Sequence, residues 1–261
     1  MRCVLSIAGS DSGGGAGMQA DIKTCLCHGV HGTVAVTCVT AQNTLGVQAI
    51  HRISIELVRA QIVAVLDDLT PEAAKTGFLA GQDALAAIES LAERLPPLVV
   101  DPVCVDKHGR AIWDAAMLDR FRRVLLPRAV LLTPNVAEAA LLTGRPVTSR
   151  GEMAAAAAAL LADGAHAVLI KGGRLGGEGS PDLFATAGGR TWLEAPRVHT
   201  TAVLGTGDTL AAAIACRLAQ GADLALAVAL GKAYVSRCLA VALEIGHGQG
   251  PVGHVPADPW P

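Results

Sequence analysis

The chain alternates short apolar runs with longer stretches in which apolar residues recur at helical spacing. The short runs predict strands at 3–7, 33–39, 73–77, 98–100, 129–132, 167–170, 182–186 and 190–194. The longer stretches predict helices at 15–28, 55–69, 83–94, 114–125, 135–142, 152–161, 208–220 and 223–243. Such alternation favours a central, mostly parallel sheet with helices on both faces, in which ligands bind beyond the carboxyl ends of the strands. Without a repeat or a long linker, we expect one domain over 1–261.

Composition excludes several classes of protein. Hydrophobic residues make up 51% of the chain and charged residues 17%, which is typical of a globular protein. The formal net charge of −2 gives no general attraction to nucleic acid or to an anionic membrane, so we expect neither partner. The longest apolar segment, 153–162, falls well short of the ~20 residues that a membrane helix needs. Seven cysteines without zinc-site spacing favour a reducing compartment, and we expect the cytoplasm.

A glycine-rich segment in the last third of the chain carries the strongest chemical signal. It consists of Gly205, Thr206, Gly207 and Asp208. The first amides of a helix have no partner within the helix and lie at the positive end of its dipole, so they attract an anion such as phosphate. A carboxylate there would repel that phosphate unless it faces a hydroxyl about to receive it. The segment predicts phosphoryl transfer to an alcohol, with Asp208 as the base and the 205–207 amides as the anion cradle, although Asp and Thr are also common helix caps.

Other polar residues follow the predicted strands, at the edge where a ligand would bind. Asp101 stands at a strand end before a proline, and Asn135 and Glu138 stand three residues apart at a helix start. Such carboxylates reach a hydrated Mg²⁺, although Asn135 with Glu138 also fits an ordinary capping pair. Lys171 and Lys232 each fit either a positive charge beside a phosphate or a lysine without a ligand.

The glycine-rich stretch 9–17, after the first strand, fits neither the phosphate-loop pattern nor the dinucleotide fingerprint. Its glycines still let a ligand approach the backbone closely. Asp21, about one turn into the next helix, is by itself either a solvated surface carboxylate or an acceptor for a ligand amine or hydroxyl. Gln42 follows the second strand in a turn that favours Asn and Thr anyway, so alone it is weak evidence for binding.

Several stretches together match one known family nearly from end to end. They lie at 7–11, 19–24, 39–48, 101–103, 132–135, 171–173, 205–207 and 246–251, and QADIKT at 19–24 and QNTLGVQ at 42–48 are the most specific. The chain thereby resembles the hydroxymethylpyrimidine/phosphomethylpyrimidine kinases of thiamine biosynthesis, in the ribokinase-like superfamily. The resemblance implies an α/β fold, a three-layer α/β/α sandwich with a central, mostly parallel sheet, often as a homodimer. It also implies ATP and Mg²⁺, and phosphorylation of 4-amino-5-hydroxymethyl-2-methylpyrimidine and then of its monophosphate.

The same resemblance implies roles for particular residues. The residues expected around the substrate are Gly9, Ala16, Asp21, Gln42, Phe78 and Val103. Of these, Asp21 and Gln42 would hold the edge of the aminopyrimidine ring. The residues that the resemblance implies near Mg²⁺ and the phosphates are Asp101 and Glu138. We also expect Asn135, Lys171 and Lys232 on the nucleotide side, from their own positions in the sequence.

Two positions depart from the family pattern. The family usually reads Asn-Thr-His-Gly-Thr-Gly-Cys before the helix, whereas this segment ends in Asp208 and lacks the Asn and the His. A carboxylate is ionised at neutral pH while a thiol must first be acidified, so the change is compatible with a base. Phe78 stands where the family tends to have Met, and it either stacks on the substrate ring or fills the core.

Two alternative functions stay open. The first is a pyridoxal or pyridoxine kinase, because vitamin B6 also offers a hydroxymethyl group on a heteroaromatic ring. The second is a catalytically silent module that binds a pyrimidine or a nucleotide, and the altered segment 202–204 is the feature that favours it.

Overall fold

Strands and helices alternate along the chain, as the hydrophobic periodicity predicts. The computed structural model describes residues 1–106 and 108–257. Its first elements are β1 (Cys3–Asp11), α1 (Gly17–Cys27), β2 (His31–Asn43), β3 (Gly46–Arg52), α2 (Ile55–Asp68), β4 (Ala73–Thr76) and α3 (Gln82–Ser90). The middle elements are β5 (Leu98–Val100), α4 (Ala115–Val124), β6 (Ala129–Leu132), α5 (Val136–Thr143), α6 (Arg150–Ala162), β7 (Ala167–Lys171), β8 (Asp182–Thr186) and β9 (Gly189–Leu193). The last are α7 (Thr206–Ala219) and α8 (Leu224–Ala240).

The chain divides into two units, of which the first comprises 1–97 and 198–261 and the second 98–197. In the first unit the strand order is β3-β2-β1-β4, with β1 parallel to β2 and β4, and β3 antiparallel to β2. The chain moves through α1 to one side of β1 and through α2 to the other. Helix α1 packs against β1, β2 and α7, whereas α2 packs against β2 and α3.

Helix α7 is the most deeply buried helix of the first unit, which fixes the position of its N-terminus. It packs against α1, α8, β1 and β4, and its residues from Thr209 to Cys216 are all buried. Small side chains allow this close packing. A Cβ on Gly231 of α8 would come 2.6 Å from Ile214 of α7, so glycine is required where the two helices meet.

In the second unit the strand order is β5-β6-β7-β8-β9. Strands β5, β6 and β7 pair in parallel, and β7, β8 and β9 pair antiparallel. Helices α5 and α6 pack together, and both contact β7. The predicted α/β fold with a mostly parallel sheet and the predicted hairpin of β8 and β9 are confirmed, whereas the single domain over 1–261 stays a prediction.

Several elements differ from the sequence-based expectation, and β1 and β2 each run four residues further than predicted, to Asp11 and Asn43. Strand β3 was not expected, because it is an edge strand without a buried residue and so lacks the alternation that marks a half-buried strand. The helix expected over 83–94 ends at Ser90 and is followed by a 3₁₀ turn at Ala92–Arg94. Helix α8 ends at Ala240, three residues early. Within 1–106 and 108–257 no helix is long and apolar enough to span a membrane.

Candidate active site

The glycine-rich turn of the last third forms the start of α7, as predicted. Gly205 is the N-cap residue, with φ of +80°, and the helix begins at Thr206. The first intrahelical hydrogen bond runs from the Thr209 N–H to the Gly205 carbonyl (2.9 Å), so the amides of Gly207 and Asp208 have no partner within the helix. The Thr206 amide donates back to the preceding loop (3.2 Å). With the Thr206 amide engaged, the expected cradle at 205–207 retains the Gly207 amide, and its role in holding an anion stays a prediction.

The glycine stretch after β1 is organised by a carboxylate whose role the sequence did not reveal. Asp11 is buried, and its carboxylate accepts hydrogen bonds from the amides of Gly13 (2.8 Å), Gly15 (2.9 Å) and Ala16 (2.8 Å). These amides are occupied within the protein, which is consistent with the failure of this stretch to match a phosphate loop. The sequence signal was an Asp at a strand end followed by glycines, a pattern typical of a turn closed by its own side chain.

Asp208 forms a buried ion network with two residues that are distant in sequence. Lys75 Nζ lies 3.0 Å from Asp208 Oδ1 and 2.9 Å from Asp21 Oδ1. The side chains of Lys75 and Asp21 are 0% and 1% exposed, whereas that of Asp208 is 16% exposed. Ser6 donates a short hydrogen bond to Asp21 Oδ2. Within this network only Asp208 has appreciable access to a ligand.

Asp21 has a different environment from either one expected. It is neither a solvated carboxylate nor exposed at a surface that a ring amine could reach, because both of its oxygens are bound inside the protein. Burial raises its pKa to about 7, Lys75 opposes that shift, and the neighbouring Asp208 carboxylate adds to it. The Asp21 carboxylate therefore belongs to the buried network in which Lys75 contacts both Asp21 and Asp208.

The sequence pattern did not identify Lys75 as a partner of Asp21 and Asp208. It lies in β4, whose residues are all buried. A lysine within a short, otherwise uncharged strand is unusual, because lysine is almost never fully buried unless it is paired. That signal was present in the sequence, but the two partners of Lys75 lie 54 and 133 residues away.

The expected pocket residues of the first unit group around Phe78 and the glycine stretch. Phe78 is half-buried, and a Cβ on Gly9 would come 3.4 Å from its ring and 2.8 Å from the Cys38 sulfur. The backbone of Gln42 is held by the Ser12 hydroxyl, which accepts from the Gln42 amide (2.8 Å) and donates to its carbonyl (2.7 Å). Ala16 is half-buried at the N-terminus of α1, where its Cα would lie 3.4 Å from a Cβ placed on residue 205.

A cavity of about 250 Å³ opens beside this group. Its walls come from the glycine stretch after β1, the β2–β3 turn, the residue before Gly205 and the segment after α8. The segment after α8 is tied to the turn through Thr44, whose side chain accepts from the amides of His247 (3.2 Å) and Gly248 (3.1 Å). Stretches that carry the family resemblance thus lie together around one cavity.

The second unit holds four of the five expected nucleotide-side residues, Asp101, Asn135, Glu138 and Lys171, in a compact polar cluster. Lys171 Nζ lies 2.8 Å from Asp101 Oδ1, which also accepts from the Thr133 hydroxyl (3.2 Å). Asn135 and Glu138 form the capping box of α5, so the capping interpretation is confirmed. Glu138 is buried, and burial raises its pKa to about 7, while Lys171 opposes the shift and Asp101 reinforces it.

The donor set of this cluster fits Mg²⁺ held mainly by phosphate and water. Asp101 and Glu138 supply two carboxylates, and Mg²⁺ is commonly bound by one or two carboxylates together with substrate phosphates. In the parts of the chain that the structure describes, no group of three or more His, Cys, Asp or Glu side chains is arranged to hold a metal. Val103 is half-buried two residues after Asp101, and Lys232 is buried on α8 of the first unit.

Solved structures show which class of enzyme has this fold. The chain is similar to pyridoxal kinase from Staphylococcus aureus in complex with ADP, with a TM-score of 0.92 and 31% identity over 99% of this chain and 95% of that one. It is also similar to phosphomethylpyrimidine kinase from Clostridium difficile, with a TM-score of 0.80 and 34% identity over 91% of this chain and 99% of that one. The fold is that of the ribokinase-like kinases.

Sequence comparison narrows this class to one family. The phosphomethylpyrimidine kinase model matches residues 11–253. The hydroxymethylpyrimidine/phosphomethylpyrimidine kinase of Streptomyces coelicolor is 46% identical over 96% of this chain and 93% of its own. That of Mycobacterium tuberculosis is 48% identical over 95% and 92%. The chain belongs to the phosphomethylpyrimidine kinase family, as predicted, and is a phosphotransferase.

Proposed function

We propose that this kinase transfers the γ-phosphoryl group of ATP to the hydroxymethyl oxygen of 4-amino-5-hydroxymethyl-2-methylpyrimidine, and then phosphorylates the monophosphate, in thiamine biosynthesis. The observation that carries the proposal is the position of Asp208. It is a partly exposed carboxylate in the first turn of α7, where the helix amides attract phosphate. A base and an anion cradle in one turn are what transfer to an alcohol requires.

The reaction needs one proton acceptor and one site for the transferred group. The alcohol oxygen bonds to the γ-phosphorus while the bond from that phosphorus to the β,γ-bridging oxygen breaks and ADP leaves. Asp208 takes the alcohol proton. The amides of Gly207 and Asp208 stabilise the charge that develops on the phosphoryl oxygens.

Pocket residues position the ring so that its hydroxymethyl group faces Asp208, and this contribution is orientation rather than bond chemistry. The Phe78 ring offers a flat face, and Gly9 leaves that face uncovered because it has no side chain. Gln42 offers an amide for the ring edge, and Ala16 and Val103 are further proposed contacts of the substrate.

The polar cluster of the second unit serves ATP in this proposal. Lys171 contributes a positive charge to the phosphates, and Asn135 orders the start of α5. Asp101 and Glu138 would hold Mg²⁺, which neutralises phosphate charge when bound. Lys232 is a further proposed contact of the nucleotide.

Replacement of Asp208 tests the proposed chemistry. We expect Asp208→Asn and Asp208→Ala to lower kcat by about 10²- to 10⁴-fold, which is the usual contribution of a general base, while ADP affinity measured by calorimetry changes little. Asp119→Asn, in an exposed pair with Arg123, is the matched control and keeps full turnover. If Asp208→Asn stays within a few-fold of the wild type, Asp208 is not the base. Product analysis by phosphorus NMR with the alcohol and with its monophosphate separates the two phosphorylation steps.

A pyridoxal kinase is the second candidate, because solved structures with this fold include S. aureus pyridoxal kinase at a TM-score of 0.92. The chemistry at Asp208 would be unchanged, since pyridoxal also presents a hydroxymethyl group. Comparison of kcat/KM for the two alcohols decides between the candidates. A preference for pyridoxal would reject the pyrimidine alcohol as the main substrate, and absence of ADP release with both would favour the silent module.

We also propose a homodimer formed through the β2–β3 hairpin. This hairpin exposes large apolar side chains at Val39 (47%), Leu45 (58%), Val47 (53%) and Ile50 (48%), and such patches are typical of interfaces. Ile50→Lys is expected to shift the sedimentation coefficient towards that of a monomer, and an unchanged value would exclude this interface. A reducing cytoplasm suits the seven cysteines, all of which are free.

A further inference from the structure

The Lys75 ammonium group lies between two carboxylates in a site closed to water. Its Nζ donates to Oδ1 (2.9 Å) and Oδ2 (3.1 Å) of Asp21 and to Oδ1 of Asp208 (3.0 Å). The peptide at Gly77 closes over the pair, because a Cβ there would come 2.9 Å from Nζ and 3.4 Å from Asp208 Oδ1.

Resting on the proposed role of Asp208 as the base, we propose that Lys75 is a positioning residue that keeps Asp208 ionised and oriented, and that Asp21 acts on Asp208 through Lys75 rather than on the substrate. Without the cation, two carboxylates would face each other where little water can screen them, and one of them would take up a proton. Without Asp21, the lysine would pair with the base alone and hold its charge too tightly to accept a proton readily.

Each member of the network has a distinct electrostatic function. Asp21 neutralises most of the buried cation, and Ser6 fixes Asp21 by donating to Oδ2. The part of the Lys75 positive charge that Asp21 does not neutralise attracts the carboxylate of Asp208, which reaches solvent. When both carboxylates are ionised, the three groups together carry one net negative charge, and Asp208 is the member of the network that reaches solvent.

Other ionisable groups near the network come from the elements packed against α7. Cys216 of α7 and Cys25 of α1 lie with their sulfurs 3.6 Å apart, and the pKa of Cys216 is raised well above its ordinary value, first by its hydrogen bond with Cys25 and then by burial. His254 contacts Thr209 of α7, and burial lowers its pKa to about 4, so it is neutral above that pH. On α8 the charged side chains are Lys232 and Arg237, and Arg237 donates to the Ala257 carbonyl.

The test is a pH profile of kcat for a series of charge variants. Lys75→Met leaves two facing carboxylates, so we expect the acid limb, the low-pH side of the profile where kcat falls, to move up by at least one pH unit. We also expect kcat at pH 7 to fall at least 10-fold and to recover partly at high pH. Asp21→Asn leaves Lys75 with one partner, so the acid limb moves to lower pH. The double variant, which combines Lys75→Met with Asp21→Asn, removes one charge of each sign. We expect its acid limb to return towards that of the wild type.

A matched control and a second readout separate this role from a purely structural one. The exposed pair Asp67 and Arg94 provides the control series, Asp67→Asn, Arg94→Met and their double variant, which leaves the acid limb in place. If Lys75→Met does not fold, the shift of the acid limb to lower pH in Asp21→Asn still tests the proposal. The proposal would be overturned if the acid limb of Asp21→Asn stays at the wild-type pH. It would also be overturned if the acid limb of the double variant is displaced as far as that of Lys75→Met.

This inference and the proposed base fail in different ways. Loss of turnover in Asp208→Asn with unshifted acid limbs in the Lys75 and Asp21 variants rejects the role of Lys75 and keeps the base. Full turnover in Asp208→Asn rejects the base, and with it this inference. ADP affinity, measured for every variant, reports whether the fold is intact.

Discussion

Gly205 and Gly15 lie backbone to backbone, so closely that a Cβ on Gly205 would come 2.0 Å from the Gly15 carbonyl oxygen. The contact joins the start of α7 to the glycine stretch after β1. Gly205 also has φ of +80°, a conformation that L side chains rarely adopt. Two separate requirements therefore favour glycine at this position, and a side chain there would displace the start of α7 together with its first amides.

Gly205→Ala is expected to damage both stability and activity. Backbone strain and the clash with Gly15 together should lower stability by about 2 kcal/mol or more, which corresponds to a drop in Tm of about 4–8 °C for a chain of this size. The displaced turn should lower kcat at least 10-fold. Gly221→Ala is the matched control, because Gly221 follows the opposite end of α7 with φ of +92° and open space around its Cα. Equal kcat in the two variants would contradict the role of the turn.

Asp11→Ala should loosen the glycine stretch that forms one wall of the cavity. The amides of Gly13, Gly15 and Ala16 would lose their acceptor, and the buried ones among them cannot turn to water, at a cost of about 2–4 kcal/mol. We expect a lower denaturation midpoint and a higher KM for the alcohol.

Asp106→Ala is the control for that variant. Asp106 accepts from the amides of His108 (2.8 Å) and Arg110 (2.9 Å) in a similar turn that is exposed to solvent. Water can replace its carboxylate, so the loss of stability should be clearly smaller. An equal loss in the two variants would show that burial of the Asp11 turn contributes nothing.

Phe78→Leu distinguishes stacking from simple filling of space. Leucine keeps most of the apolar volume but has no flat ring, while the Phe78 carbonyl still accepts from the Thr37 hydroxyl (2.7 Å). If the ring stacks on the substrate, KM for the alcohol should rise about 2- to 10-fold, in line with ~0.5–1.5 kcal/mol for an aromatic pair. KM for ATP should not change. An unchanged KM for the alcohol in this variant, with normal stability, would mean that Phe78 only fills space.

Local features of the site were predictable from the sequence, because they depend on neighbours along the chain. The start of α7 follows from two glycines before a small apolar run, and the capping box of α5 follows from Asn135 and Glu138 three positions apart. The parallel sheet follows from the strand–helix alternation. These signals lie within about one helical turn or one strand.

Features that depend on distant partners were not predictable in the same way. Asp21 was expected at the ring edge, yet Lys75, 54 residues further on, and Ser6, 15 residues back, take both of its oxygens. The spacing of residues in sequence says nothing of such a contact, since it arises only when β1, β4 and α1 pack together. Strand β3 escaped detection for the opposite reason, because an exposed edge strand has no burial pattern to detect.

Glu138 should make stability fall as pH rises from about 4.3 towards about 7. Burial raises its folded pKa to about 7, above the value of about 4.3 for an unfolded chain, so the folded state holds an extra proton between these pH values. The contribution of Glu138 to stability is therefore largest below its unfolded pKa and is lost as pH rises towards about 7. Glu138→Gln keeps an acceptor for the capping box but cannot titrate.

The difference in unfolding free energy between wild type and Glu138→Gln isolates this group from the other titrating residues. We expect the wild type to lose more stability than Glu138→Gln between pH 5 and pH 7.5, measured by urea denaturation. Glu152→Gln is the control, because hydrogen bonds from the backbone and side chain of Thr148 lower the pKa of that exposed carboxyl. A lowered pKa gives the opposite sign: stability from Glu152 is lost as pH falls. Parallel curves for wild type and Glu138→Gln would mean that Lys171 holds Glu138 ionised throughout.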